Sequence, residues 1–305
     1  MLRGLLFSTY LIFSICCFGQ HDSLQAFKSV HALNPKKVIG TSVGLSSAWA
    51  GSTIGLWSVW YSAENVKSFH TFNDGTDWLM TDKIGHFYTA YQLTQFIQQS
   101  YLWSGVSRNK SSWIGAGIGL GFQTTLEVFD GYSEGWGFSW FDMIANCAGV
   151  FGYLGQDFAW QEQRIIPKFS YHPTGYASIR PSILGSTPLE RLLKDYNGQT
   201  FWLSFSPARF FKSTTFPKWL CLSIGYSPDA KLVGDQNKYT DYSVGHSYTY
   251  TAKQQWLMSV DIDFTELPIK RKWLKSLVKP LNLLKLPFPT LMYTGNRIYG
   301  QWIYF

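Results

Sequence analysis

The sequence predicts an α+β protein, with an N-terminal bundle of about four semi-polar helices followed by a small antiparallel β-rich domain that carries a basic amphipathic helix. Three observations predict it. Long segments poor in charge and rich in Gly, Ala and Ser fill the first half, whereas short aromatic and β-branched runs with period-two alternation fill the second. Charge divides at the same place: residues 1–164 hold 9 Lys/Arg and 11 Asp/Glu, net −2, and residues 165–305 hold 17 and 8, net +9. Charged residues are only 15% of the chain and aromatics 18%, with 14 Trp and 18 Tyr. A disordered chain has more charge and fewer rings, and Trp and Tyr at this density suit a membrane interface, each ring having an apolar body and a polar tip. The composition points to the cell envelope, although a mean hydropathy of −0.08 is too low for an ordinary polytopic transporter.

The chain opens with Met1-Leu2-Arg3 and an uncharged run, Gly4–Gly19, that ends in Cys17-Phe18-Gly19, small at −3 and −1. This is the pattern of a secretory signal peptide over residues 1–19, with Gln20 as the first mature residue. The run is shorter than the ~20 residues of a membrane span. Phe13-Ser14-Ile15 makes a poor lipoprotein box before Cys16. Cleavage leaves Cys147 and Cys221, too few for a disulfide scaffold.

The helical bundle domain is expected over residues 36–164, with helices at Val38–Tyr61, Asp82–Trp103, Trp113–Asp130 and Phe141–Trp160. Glycines such as Gly44, Gly51, Gly55, Gly115 and Gly117 suit close helix–helix approach. Gln92, Gln95, Gln98, Gln99 and Gln123 interrupt the apolar faces and make these helices weaker than standard membrane spans. A polar loop with the turn signal Asn73-Asp74-Gly75 spans residues 62–81.

The basic β-rich domain, residues 165–305, is expected to place strands at Thr200–Ser206, Trp219–Tyr226, Gln255–Phe264 and Arg297–Phe305, about five in all. Between the last two, Pro268–Leu286 sets Lys270, Arg271, Lys272, Lys275 and Lys279 against Trp273, Leu274, Leu277, Val278 and Leu281, with Pro280 to kink or end the helix. Such a helix lies on an anionic membrane surface or covers a sheet. The terminal Gly300-Gln301-Trp302-Ile303-Tyr304-Phe305 partly matches an outer-membrane strand signal, but about five strands are too few for a free-standing barrel of eight. A small membrane-associated sheet is favoured over a pore.

Charges inside the helices are rare and therefore informative. Asp82 and His86 are four apart on one helical face, Glu127 lies one turn from the end of the third helix, and Asp142 and Asn146 open the fourth, again four apart. In an up-down bundle the start of the second helix, the end of the third and the start of the fourth share one end. Asp82, Lys83, His86, Glu127, Asp142 and Asn146 are thus expected to converge into one polar binding site. Single elements also have ordinary roles, since Ser139-x-x-Asp142 is a capping box and Asp82 complements a helix dipole. Glu127, near a helix C-terminus, needs a compensating partner, and His86 or Lys83 would serve. His86, Glu127 and Asp142 have the donor atoms for a divalent metal, but there is no HxxxH or HExxH, and the cofactor is unknown from sequence.

The order Asp82-Lys83-x-x-His86, Glu127, Asp142-x-x-x-Asn146-x-x-Gly149 resembles the YfiM-type family of uncharacterised bacterial envelope proteins over residues 75–160, with a tail from Lys194 that is similar to the extended Bacteroidota-type version. It is also similar to the pattern of the teicoplanin-resistance VanZ-like membrane family. Where that pattern has Gln after its Glu and Arg before its Asp, this chain has Phe129-Asp130-Gly131 and Phe138-Ser139. The resemblance implies an envelope protein and supplies no reaction.

Lys36, Lys37, Arg108, Lys110 and Arg164 fall at the bundle end away from the site. The positive-inside rule would make that end cytoplasmic, whereas a signal peptide delivers Lys36 and Lys37 outside. Export of the whole chain to periplasm or outer membrane reconciles the two; the inner membrane is the alternative. The expected function is an envelope protein that binds a membrane lipid or another envelope component through the polar site, with no nucleic-acid role. Two alternatives stand beside it. One is a hydrolase of lipid or cell-wall precursor with Glu127 or His86 as base and Asp82 and Asp142 orienting groups or binding metal. The other is a structural subunit of an outer-membrane protein complex. Gly-rich phosphate loops and zinc-ligand cysteine pairs are missing from the sequence.

Overall fold

The computed structural model describes residues 32–60, 66–211, 216–242 and 247–305. The expected signal peptide lies outside these residues. Four long helices come first: α1 (Pro35–Trp60), α2 (Thr81–Trp103), α3 (Arg108–Gly131) and α4 (Trp140–Trp160). Ser139 starts α4 as its spacing predicts, its hydroxyl accepting the Asp142 backbone N–H. α2 packs against both α3 and α4 around Ala90, Ala116, Val150 and Leu154, and α1 adds Val38 and Leu45 to a second cluster at Phe96, Ile97 and Tyr101. The helices approach closely at Gly149, where a Cβ would collide with the Phe87 carbonyl oxygen. Gly115 makes a similar contact with Thr94, but Gly51 and Gly117 face open space, so close approach explains only some of the glycines.

The glutamines also find a reason. Gln98 donates to Ser112 Oγ (2.7 Å) and Asp157 Oδ2 (2.8 Å), Ser112 donates to the same carboxylate, and Arg108 pairs with it. This buried knot ties α2, α3 and α4 at the end away from the expected site. No helix among the described residues is long and apolar enough to cross a membrane.

The second half builds β1 (Ile165–Tyr171), the short helices α5 (Tyr176–Ile179), α6 (Pro181–Leu184) and α7 (Pro188–Lys194), β2 (Gln199–Phe205), α8 (Pro207–Phe211), β3 (Leu220–Asp229), β4 (Lys238–Asp241), β5 (Tyr248–Thr251), β6 (Lys253–Ile262), α9 (Lys272–Val278), β7 (Phe288–Thr294) and β8 (Arg297–Tyr304). Six strands form one antiparallel sheet in the order β1-β2-β3-β6-β7-β8, and β4-β5 form a separate ribbon. Eight strands among the described residues exceed the five or so expected. β1 and β7 escape the pattern because Pro167 and Pro289 interrupt them; β1 is an edge strand, and Pro289 sits where the pairing with β8 shifts register, both places that tolerate a missing N–H. The basic segment is also shorter than the single helix expected over Pro268–Leu286: it is α-helical over Lys272–Val278 and continues as a 3₁₀ turn, Lys279–Leu283, with Pro280 in its first turn.

The sheet curls back on itself. The Tyr304 and Thr200 hydroxyls are hydrogen-bonded at 2.9 Å, the Tyr304 ring meets Trp202 and His172, and Phe169 bridges to Leu284. Inside the curl, Lys168 and Asp261 form a wholly buried ion pair at 2.8 Å, and Ser204 donates to the same carboxylate at 2.6 Å. On the outside, α2 covers one end of β1 and β2, with Tyr88 against Phe169 and Phe201 and its hydroxyl donating to the Leu283 carbonyl.

Candidate functional site

The chain enters α2 through three consecutive residues with left-handed backbone, Trp78 (φ 52°), Leu79 (φ 53°) and Met80 (φ 64°). Each costs roughly 1–2 kcal/mol, so the turn must be held from outside. It is clamped by the second half of the chain: Trp78 N–H donates to the Gly234 carbonyl (2.9 Å), its ring packs on Tyr196, and the Tyr226 hydroxyl donates to the Leu79 carbonyl (2.6 Å). Sharp reversal here lets the preceding loop fold back, so that Asp74 and Asp82 flank the same point.

That point is the Lys83 ammonium, 7% exposed. Its Nζ lies 2.5 Å from Asp74 Oδ2, 2.9 Å from Asp142 Oδ1 and 3.2 Å from Asp82 Oδ2. Burial alone would make Lys83 a weaker base; the carboxylates of Asp82 and Asp142 and hydrogen bonds to Asp74 and Asp142 outweigh it and hold the group above the ordinary lysine value. Asp142 is pushed up to about 6, first by burial, with Asp82 and Asp74 adding and His86 and Lys83 opposing.

His86 stands one turn further along α2. Its Nδ1 lies 3.2 Å from Asn146 Oδ1 and 3.5 Å from Glu127 Oε1, and its Nε2 is 3.8 Å from Asp142 Oδ2. Glu127, 1% exposed, receives the Ser139 backbone N–H on Oε2 (3.4 Å). A backbone donor and an imidazole thus offset the helix C-terminus that disfavours its charge. Gln123 donates to Asn146 Oδ1 at 2.9 Å, while the buried Asn146 Nδ2 finds no acceptor among the described residues. Asp82 receives the Tyr196 hydroxyl at 2.7 Å.

Asp82, Lys83, His86, Glu127, Asp142 and Asn146 therefore lie together at one end of the bundle, as the up-down order predicts. Four further residues escaped the sequence reading. Asp74 reads as part of a turn signal, Gln123 as an interruption of an apolar face, and Ser139 as a cap, although its hydroxyl also donates to Asp74 Oδ1 at 2.5 Å. Tyr196 belongs to the other half of the chain and has no local signal. Among the candidate metal donors, ligand atoms of Asp82, His86 and Asp142 fall within 4.8 Å of one another, while Glu127 has Oε1 3.5 Å from His86 Nδ1 and Oε2 on the Ser139 N–H.

Comparison with known proteins bears on this same segment. Residues 70–156 match a family model described as a predicted periplasmic lipoprotein (DUF2279). The match takes in α2, α3, most of α4 and every residue of the site except Tyr196. No curated protein and no solved structure matches the chain. The family description supports an exported, envelope-located protein, and the residues it covers are those that build the polar site.

Proposed function

We propose that this envelope protein uses the bundle end to bind an amine-bearing headgroup, of a lipid or of another envelope component, with Asp82, Lys83, His86, Glu127, Asp142 and Asn146 as its binding residues. One observation carries the reading. Four carboxylates (Asp74, Asp82, Glu127 and Asp142) face one lysine and one histidine in a largely buried site, so the site has unspent negative charge. That excess of negative charge attracts a cationic group and repels an anion. The side chains of Asp74, Asp82 and His86 keep 12–14% exposure, which gives a ligand a way in. The motif's likeness to YfiM-type and VanZ-like sequences agrees with an envelope ligand and adds no reaction.

The test uses phosphoethanolamine as a soluble probe, with inorganic phosphate as control, and reads the unfolding temperature of the full chain. Phosphoethanolamine is expected to raise it in the wild type and not in Glu127→Gln, and phosphate is expected to do neither. A shift of equal size with both compounds, or none at millimolar phosphoethanolamine, would discard the reading.

A second reading has its own support. His86 stands between two carboxylates, and Asp142 beside it is pushed up to about 6 by burial. That is the equipment of a general base activating water in a hydrolase. Release of phosphate or headgroup from envelope lipid by the wild type but not by His86→Ala would favour it.

A further inference from the structure

We infer that the outward face of the six-stranded sheet lies against the acyl chains of a lipid bilayer, with α9 beside it on anionic headgroups. The observation is an inverted sheet. One row across the strands runs Leu203, Ile224, Met258, Leu291 and Gly300, and the adjacent row runs Ser204, Ser223, Ser259, Thr290 and Gln301. In a water-soluble sheet the apolar row is the buried one. Here Leu203, Ile224, Met258 and Leu291 are 46–58% exposed, whereas Ser204, Ser223, Ser259 and Thr290 are at most 5% exposed. Apart from Gln301 on the exposed edge strand, the polar row points into the curl, where Lys168 and Asp261 neutralise each other. Apolar outside and polar inside is the arrangement of strands that face lipid.

The dimensions and the borders of the face agree. From Trp256 to Ile262 the longest outward column rises ~20 Å at ~3.3 Å per residue, against the ~25 Å apolar band of outer-membrane strands. At the Trp256 end the rim carries the half-exposed rings of Trp256 and Tyr293, as an interface belt requires. At the other end, after β6 and before β7, stand exposed Lys270, Arg271 and Lys272 with the exposed side chains of Trp273 and Leu277. This charge selects the occupant: a bilayer presents acyl chains and, at its edge, phosphates for those cations. The patch also continues onto the bundle, since Phe210 joins Phe205 of the sheet to Trp160 of α4.

Flotation of the full chain with vesicles of phosphatidylethanolamine and phosphatidylglycerol tests the inference. The wild type is expected to float with the vesicles. Met258→Glu combined with Leu291→Glu should lower the vesicle-bound ratio about tenfold or more, the change that ~1.4 kcal/mol corresponds to. Lys270→Gln, Arg271→Gln and Lys272→Gln together should weaken binding several-fold at low salt and little at high salt. The wild type should also float with vesicles of phosphatidylglycerol alone, which carry no amine, and this separates the surface from the headgroup site. Because the double variant could misfold, the wild type is also mixed with vesicles brominated on the acyl chains: its tryptophan fluorescence should be quenched, and less so in Trp256→Phe. Wild-type protein left in the vesicle-free fraction, or unquenched by bromolipid, overturns the inference. So does a discrete wild-type dimer without vesicles that the double variant abolishes, because the occupant would then be a second copy.

Discussion

Asp142→Asn is expected to stabilise the protein at pH 8. The native environment moves Asp142 from the ordinary 3.8 to about 6, and a tenfold change in acid strength is worth ~1.4 kcal/mol. The folded state therefore disfavours the charged form by ~3 kcal/mol relative to the unfolded chain, as an order of magnitude. The sign follows from proton uptake. Between pH 4 and 6 the native state holds a proton on Asp142 that the unfolded chain has released, so this contribution to stability is full below about pH 4 and is lost as pH rises through 6. Asparagine keeps the shape and removes the titration. Lys83 retains Asp74 at 2.5 Å and Asp82 at 3.2 Å, so its ammonium is not orphaned. The attraction of Lys83 at 2.9 Å already opposes that shift, so the expected gain stays at ~2–3 kcal/mol. Urea unfolding of both proteins at pH 5 and pH 8 measures it: the difference in stability, variant minus wild type, should grow with pH. A variant less stable than wild type at pH 8, by at least as much as at pH 5, would show that the charged carboxylate supports the fold, and the reasoning would fail.

Two other outcomes follow from the same geometry. His86→Ala and Glu127→Gln, whose side chains meet at 3.5 Å, should be non-additive by ~0.5–3 kcal/mol in a stability cycle; strict additivity would mean that the two titrate and pack independently. Lys168→Met should destabilise the sheet by ~3–5 kcal/mol, because it strands the buried Asp261 carboxylate, and replacing Asp261 by Asn in the same protein should recover part of the loss in a denaturant titration.

The helices were legible because each is a long, weakly charged segment bounded by turn residues, and the cluster because few ionisable groups interrupt them and up-down order puts their ends together. Asp74 was not, since an Asn-Asp-Gly stretch reads as a turn and nothing local says that three left-handed residues will aim the carboxylate back at Lys83. Tyr196 reaches Asp82 across 114 positions of sequence, a contact that only tertiary packing creates. In the sheet, Met258-Ser259-Val260-Asp261 declares two faces by its alternation, yet period two cannot say which face turns inward. That choice depends on Lys168 meeting Asp261 across the curl, which no single segment encodes. β1 and β7 were hidden by their prolines for the same reason: an edge position or a register shift excuses proline only once the neighbours are known.

α2 presents Asp82 and His86 to the polar cluster, while Ile84, Gly85 and Tyr88 of the same two turns rest on Phe169 and Phe201 of the sheet. The helix is common to two bodies. Its far end is fixed to α3 and α4 through Gln98, Ser112, Arg108 and Asp157, and its near end seats the sheet. One rigid element therefore sets both the spacing of the carboxylates and the seat of the second half of the chain, so a substitution between Ile84 and Tyr88 would be felt on both sides.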